Sequence, residues 1–216
     1  MNVEIVNKRI EDYLRNLYGE RHEVLKEMEA EAEKLDFPIV GPLVGKLLYQ
    51  LAKMVKARRI FEMGSGYGYS AFWWALAMNV EDRARGNGEL FLAEGSEANK
   101  KKGEAYLMRA GLQRYIKYYV GDALEIIDTT SGEFDVVFID IEKAQYPAAL
   151  EKAVKRIRRG GLLVADNALR YGRVVEEKGD ASTEAIKEFN RRVFSLNEFA
   201  ASIIPVRDGV MVAYKM

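Results

Sequence analysis

An alternation of short apolar runs with longer amphipathic stretches does most to limit how this chain can fold. The runs at residues 59–63, 90–94, 116–120, 134–140 and 162–166 each suit one strand, and the stretches around 70–80, 97–110, 123–127 and 146–157 suit helices. Strands joined through helices run parallel and are covered on both faces, which predicts a doubly wound α/β sheet. The end differs. Residues 202–205 and 210–215 flank Arg207-Asp208-Gly209 as two strands around a hairpin turn. Ahead of the first strand, Ile10, Tyr13, Leu14 and Leu17, then Val24, Leu25 and Met28, lie at helical spacing on either side of Gly19. They predict two amphipathic helices over 3–35, closed by Asp36-Phe37-Pro38, with a further helix over 42–56. With no repeat, low-complexity tract or long linker in 216 residues, one domain is expected, residues 1–36 being a helical extension and 37–216 the core.

Composition removes much of the usual chemistry. There are no cysteines, which excludes disulfides, thiolate zinc sites and cysteine nucleophiles. His22 is the only histidine, so histidine metal clusters and Ser-His-Asp triads are excluded too. Any chemistry must run on oxygen ligands and on Lys, Asp, Glu or Tyr. The 33 basic and 33 acidic residues cancel, leaving no global positive field to gather nucleic acid or an anionic membrane. Residues 1–15 are charged and lack the apolar run of a signal peptide or anchor, so a cytoplasmic protein is expected.

In a doubly wound sheet, ligands collect at the carboxyl ends of the strands, where the strand order reverses. The first strand runs into Glu62-Met63-Gly64-Ser65-Gly66-Tyr67-Gly68-Tyr69-Ser70 and then a helix. Glycines let the backbone turn sharply and approach a ligand, and the helix start offers unpaired N–H groups. The spacing is Gly-x-Gly-x-Gly, with Tyr69 where a dinucleotide fingerprint has its third glycine, so NAD and FAD are disfavoured. Glu94 ends the second strand, where a carboxylate can accept both hydroxyls of a ribose; alone, it is as readily a solvated acid. Glu62 sits inside an apolar strand, where an unpaired carboxylate is costly and a cationic ligand group would offset the cost.

Asp140 ends the fourth strand and Asp166-Asn167 the fifth. If those strands are neighbours, two carboxylates and an amide converge beside the glycine loop. Oxygen donors without thiol or imidazole suit a hard cation, Mg²⁺ above all. Asp140 by itself reads as a cap for the next helix, and the pairing of strand ends is what favours the metal. Lys143 follows at a spacing that points back to the same pocket, where repulsion from a divalent cation would disfavour the ammonium and equip it as a base.

In these motifs the chain resembles the class I S-adenosylmethionine methyltransferases of the catechol and caffeoyl-coenzyme A O-methyltransferase type. The resemblance runs from Pro38 to the end, including Pro205-Val206-Arg207-Asp208-Gly209-Val210. It rests on the loop from Phe61 to Ala71, the strand ending at Asp140 with Lys143 and Tyr146, and Gly160-Gly161-Leu162-Leu163-Val164-Ala165-Asp166-Asn167. It implies that Asp140, Asp166 and Asn167 hold the metal and that Lys143 takes the proton from the attacking hydroxyl. Glu62, Gly64, Ser70 and the backbone at Val40 would surround the methionine portion of S-adenosylmethionine, with Ser65, Gly66 and Tyr67 in the same cofactor loop. Glu94 would bind the ribose, and Gly121, Asp122 and Ala123 the adenine edge; Tyr146, Arg170 and Tyr171 would face the acceptor. The implied reaction is direct displacement, with the cation lowering the pKa of one hydroxyl of a neighbouring pair. A mostly parallel seven-stranded sheet with an antiparallel last strand, in agreement with the hairpin, is implied as well, as is a homodimer acting on a hydroxylated small molecule.

Arg170-Tyr171 stand where many relatives carry Trp and His, and Arg159 replaces a common Pro before the paired glycines. Arg170 would suit an anionic acceptor, and equally an exposed loop position. The resemblance itself implies the first of two rival functions. Lys100-Lys101-Lys102 and Arg156, Arg158 and Arg159 would be phosphate contacts in an enzyme methylating hydroxyuridine in transfer RNA, although such runs usually form solvated helix faces. A binding module that keeps the cofactor without chemistry is the other; Asp140, Lys143, Asp166 and Asn167 argue against it, because cofactor binding alone needs neither metal nor base.

Overall fold

The computed structural model of the protein describes residues 5–79 and 88–216. Its centre is a seven-stranded sheet made of β1 (Arg59–Met63), β2 (Glu89–Glu94), β3 (Ile116–Val120), β4 (Phe134–Ile139), β5 (Ile157–Ala165), β6 (Phe199–Ile204) and β7 (Val210–Lys215). The strand order is β3-β2-β1-β4-β5-β7-β6. β1 to β5 pair in parallel, while β7 runs antiparallel to both β5 and β6. The expected doubly wound sheet with an antiparallel end is therefore what forms. The order reverses between β1 and β4, so the crevice for a ligand opens above those two strands.

The helices are α1 (Lys8–Leu17), α2 (Glu23–Leu35), α3 (Gly41–Met54), α4 (Tyr69–Asn79), α5 (Glu97–Arg109), α6 (Ala123–Thr129), α7 (Tyr146–Ala153) and α8 (Ala181–Ser195). Alternate residues of the central strands face opposite layers. Ile60, Leu92, Val136 and Phe138 join the core beneath α2, α3, α4 and α5, whereas Phe61, Ala93, Val137 and Ile139 join the one beneath α6, α7 and α8. Burial on both sides explains why these strands read as continuous apolar runs, each fully buried large side chain contributing about 1.5–3 kcal/mol. α4 is apolar all round and is enclosed accordingly: Trp74 packs edge-on against Phe138, and Trp73 lies so near Gly45 of α3 that a Cβ there would stand 2.1 Å from its indole nitrogen. α2 belongs to the same core through Val24, Leu25 and Met28, while α1 buries none of its residues. Among the described residues no helix is long and apolar enough to cross a membrane.

Three expectations need correction. The helix expected over 146–157 ends at Ala153, because β5 already begins at Ile157, five residues before its expected start. Gly160 takes φ +75° inside β5 and the β4–β5 register shifts there, so the paired glycines form an irregularity within a strand rather than a turn before it. The last hairpin begins at Phe199, ahead of the expected residue 202. α8 was not anticipated, although Ile186, Phe189 and Val193 repeat at helical spacing and the Asp180 side chain accepts from Thr183 N–H at its start. Val3 and Val80, expected helix limits, lie outside the described residues.

Candidate active site

A cleft of about 1520 Å³ opens above the carboxyl ends of β1, β2, β4 and β5. Its floor follows from the register: Met63 pairs with Ile139 and Ile139 with Ala165, so the next residues, Gly64, Asp140 and Asp166, stand side by side. Gly64 is obligatory there. Its φ is +81°, and a Cβ would lie 2.1 Å from the Asp140 carbonyl oxygen. Gly66 and Gly68 also take left-handed φ, and the loop is braced from below by Ser65, whose hydroxyl donates to Tyr118 at 2.9 Å, and by Tyr118, which donates to the Gly66 carbonyl. Ser65 and Tyr67 are thus buried supports: the Tyr67 hydroxyl donates to the Met28 carbonyl at 3.0 Å and ties the loop to α2.

Glu62 is wholly buried beneath the loop. Its Oε1 accepts from the Ser70 hydroxyl, and its Oε2 has no partner. Burial, and after it the charges of Asp140 and Glu94, push its pKa up to about 8 despite the Ser70 bond. Glu94 lines the cleft and is fixed by three N–H donors: Gly66 N to Oε2 at 2.9 Å, and Ser96 N and Asn99 Nδ2 to Oε1 at 3.1 and 3.0 Å. A carboxylate offers about four acceptor sites, so capacity for a ligand hydroxyl remains. Asn99 was missed from sequence; it sits one helical turn after the Ser96 cap, and that cap is the signal that finds it. Gly121, Asp122 and Ala123 line the same wall, with the Asp122 side chain accepting from Leu124 N–H to cap α6. Val40 is buried at the start of α3, beyond the rim residues Ile39 and Gly41.

On the other side Asp140, Lys143, Asp166 and Asn167 all line the cleft. Lys143 Nζ donates to Asp140 Oδ1 at 2.9 Å, to the Ile141 carbonyl at 3.1 Å and to the Tyr146 hydroxyl at 3.1 Å. Tyr146 is fully buried and donates to the Asp166 carbonyl at 3.0 Å, so it supports Lys143 from beneath. Asp166 is buried with its Oδ1 unpartnered; burial first, then the Asp140 charge, raises its pKa. No group of three His, Cys, Asp or Glu side chains converges as a metal cage among the described residues. The oxygen-bearing side chains of Asp140, Asp166 and Asn167 line the same part of the cleft.

Tyr171 is exposed on the rim, whereas Arg170 reaches toward Asp180 at 4.0 Å with its Nε buried and unpartnered. Two rim residues absent from the sequence-based set are Arg207 and Asp208 of the β6–β7 turn. α1, α2 and the link between them contribute Arg15, Arg21, Lys26 and Glu29 to the mouth, so the N-terminal helices stand over the site. Nine acidic and five basic residues line the cleft among the described residues, in a chain of zero net charge. That imbalance favours cationic ligands.

A family model described as O-methyltransferase matches residues 16–216. The catechol O-methyltransferase of Niastella koreensis is 28% identical over 211 residues, covering 94% of this chain and 92% of that protein. The catechol O-methyltransferase of Mycobacterium tuberculosis is 32% identical over 159 residues, covering 73% and 70%. Among solved structures, the O-methyltransferase TomG of Streptomyces achromogenes, involved in tomaymycin synthesis and crystallised with S-adenosylmethionine, superposes with a TM-score of 0.85 at 27% identity over 96% of both chains. Matched by that model from the last turn of α1 to the final residue, and sharing the fold of these enzymes, the chain belongs to the O-methyltransferase family.

Proposed function

We propose that this enzyme, an S-adenosylmethionine-dependent O-methyltransferase by family, uses a divalent cation, magnesium above all, to methylate one hydroxyl of a neighbouring pair on a small molecule of the catechol type. The observation that carries the cation is Asp166: its buried, unpartnered Oδ1 lies one strand from Asp140 and beside Asn167, all three facing one acidic cleft. An orphaned buried carboxylate oxygen is costly, and a hard cation on two carboxylates and an amide oxygen would relieve it.

In this reading Glu62 and Ser70, under the Gly64 turn, receive the charged methionine end of the methyl donor, Glu94 and Asn99 its ribose, and Gly121 to Ala123 its adenine edge. S-adenosylmethionine supplies an electrophilic methyl group, and a cation at Asp140, Asp166 and Asn167 would stabilise negative charge on the acceptor oxygen. Lys143, as the neutral amine once one proton has passed to solvent, would take the acceptor proton on Nζ, which Tyr146 holds at the cleft edge. A cation held by Asp140 would compete with Lys143 Nζ for that carboxylate. Transfer is a direct displacement, and the chain supplies orientation and no covalent intermediate.

The transfer-RNA reading is weaker. Arg156 donates to the carbonyls of Ile127, Thr130 and Gly132, Arg158 pairs with Asp135 and Arg159 with the Met216 carbonyl, all around the opposite, amino end of β5. Lys102 is paired with Glu31 at 2.7 Å. A mass-spectrometric comparison of a catechol panel with bulk transfer RNA, each with EDTA and with restored Mg²⁺, tests the proposal. Mg²⁺-restored methylation of catechols is expected, and full activity in chelator would refute the cation.

A further inference from the structure

The β6–β7 turn does more than join two strands. Asp208 is buried in it, and its carboxylate accepts from the Asn167 amide, Nδ2 to Oδ2 at 3.0 Å, and from the Tyr171 backbone N–H. The backbone of the turn takes two further bonds from the same loop, Leu169 N to the Asp208 carbonyl and Ala168 N to the Gly209 carbonyl, both 2.9 Å. Arg207, next to it, donates to the Ile39 carbonyl at 2.6 Å and so ties down the opposite rim. The residues gathered here are strained: Asn167, Arg170, Tyr171 and Arg207 have φ of +55°, +49°, +54° and +50°. Side chains disfavour that region, and it persists where the surroundings over-determine it, as around functional sites.

Hydrogen-bond chemistry then fixes the direction of the Asn167 amide. A carboxylate accepts, so Asn167 must give Asp208 its NH₂, and its carbonyl oxygen is the end left for the cleft it lines. Turned over, the same amide would offer hydrogens, which repel a cation. We infer that Asp208 is a positioning residue: it aims the Asn167 oxygen at the cation position and clamps the left-handed turn that carries Tyr171 of the acceptor rim. This rests on the reading of Asn167 as a cation ligand, and residues that hold metal ligands commonly matter roughly 10- to 100-fold for affinity.

The test titrates Mn²⁺ alone, followed by electron paramagnetic resonance, into the full-length wild type, Asp208→Asn, Asn167→Ala and the exchange Asp208→Asn/Asn167→Asp, with a thermal melt of each. In Asp208→Asn the new amide can still accept from Tyr171 N–H, but it presents NH₂ to Asn167. The Asn167 amide then flips, and Mn²⁺ affinity should fall roughly 10- to 100-fold while the melt holds. The exchange restores a donor–acceptor pair across positions 208 and 167 and leaves an oxygen facing the cleft, so affinity should recover. Wild-type affinity in Asp208→Asn overturns the inference, as does a loss that the exchange fails to reverse, which would make Asp208 a residue of the fold alone. A wild type that binds no Mn²⁺, or an Asn167→Ala variant that binds it unchanged, instead overturns the ligand reading beneath it.

Discussion

Glu62→Gln is the substitution whose effect can be worked furthest from the structure. Glu62 is fully buried, with one oxygen on Ser70 and the other unpartnered, and its pKa rises from an ordinary 4.5 to about 8. An acid whose folded pKa is raised binds its proton more tightly when folded, so its favourable contribution is present below the unfolded pKa and is lost as pH climbs to the folded one. Between pH 5 and pH 9 that loss is about 4 kcal/mol, more than half of it already gone at pH 7, at 1.36 kcal/mol per unit of separation. Glutamine has the same shape and no charge to bury, so its own strain adds a constant offset. Denaturant unfolding of cofactor-free protein at pH 5, 7 and 9 should show wild type losing stability relative to Glu62→Gln by that amount. Saturating S-adenosylmethionine should narrow the gap at pH 9, because its ammonium would pair with the ionised carboxylate. Parallel stability profiles for the two proteins would refute the reasoning, since they would mean that Glu62 titrates alike folded and unfolded.

Lys143→Ala should keep cofactor affinity and lose roughly 10²- to 10⁴-fold in kcat, the usual worth of a general base; undiminished turnover across a broad pH range would remove that role. Gly64→Ala forces a side chain into φ +81° and against the Asp140 carbonyl, so it should destabilise by more than the roughly 1–2 kcal/mol of the backbone strain alone, and an unchanged urea midpoint would contradict the close approach. Tyr13→Glu tests the expected homodimer. α1 leaves Ile10, Tyr13 and Leu17 exposed on an otherwise charged helix, and light scattering should show a dimer in the wild type and monomer in the variant. A monomeric wild type would end that expectation.

Much of this molecule is legible in the sequence because two-sided burial leaves continuous apolar runs, and because a parallel sheet fixes what their ends must meet. That logic alone brings Gly64, Asp140 and Asp166 together, from strands as far apart in sequence as β1 and β5. It fails where direction matters more than position. Tyr146 falls at the right place along the chain, yet the 3-10 turn at Lys143–Gln145 sends its ring into the core under α8, edge-on to Phe189. Ser65 and Tyr67 sit in a ligand loop while their side chains serve Tyr118 and α2. Asp208 was visible only as a turn residue between Arg207 and Gly209, because nothing in the chain nearby tells that its partners are Asn167 and Tyr171, 41 and 37 residues upstream. α8 was passed over between two stronger signals, the acidic end of β5 and the hairpin.

The buried polar atoms left without partners point the same way as the motifs. Among the described residues, the ionisable ones are on Asp166 in the cleft lining, Glu62 beneath the glycine loop and Arg170 beside the rim residue Tyr171; the remainder are neutral groups of Trp73, Trp74, Thr183 and Asn190. A fold under pressure only to be stable would replace a buried acid or pair it, since either change removes a desolvation cost. Here two acids are buried near Asp140, whose charge raises the pKa of each. They lie under different ends of one acidic cleft, Glu62 behind the glycine turn and Asp166 at the tip of β5. One positive group cannot neutralise both. In the reading proposed above, the ammonium of the methyl donor would offset the one and a divalent ion the other.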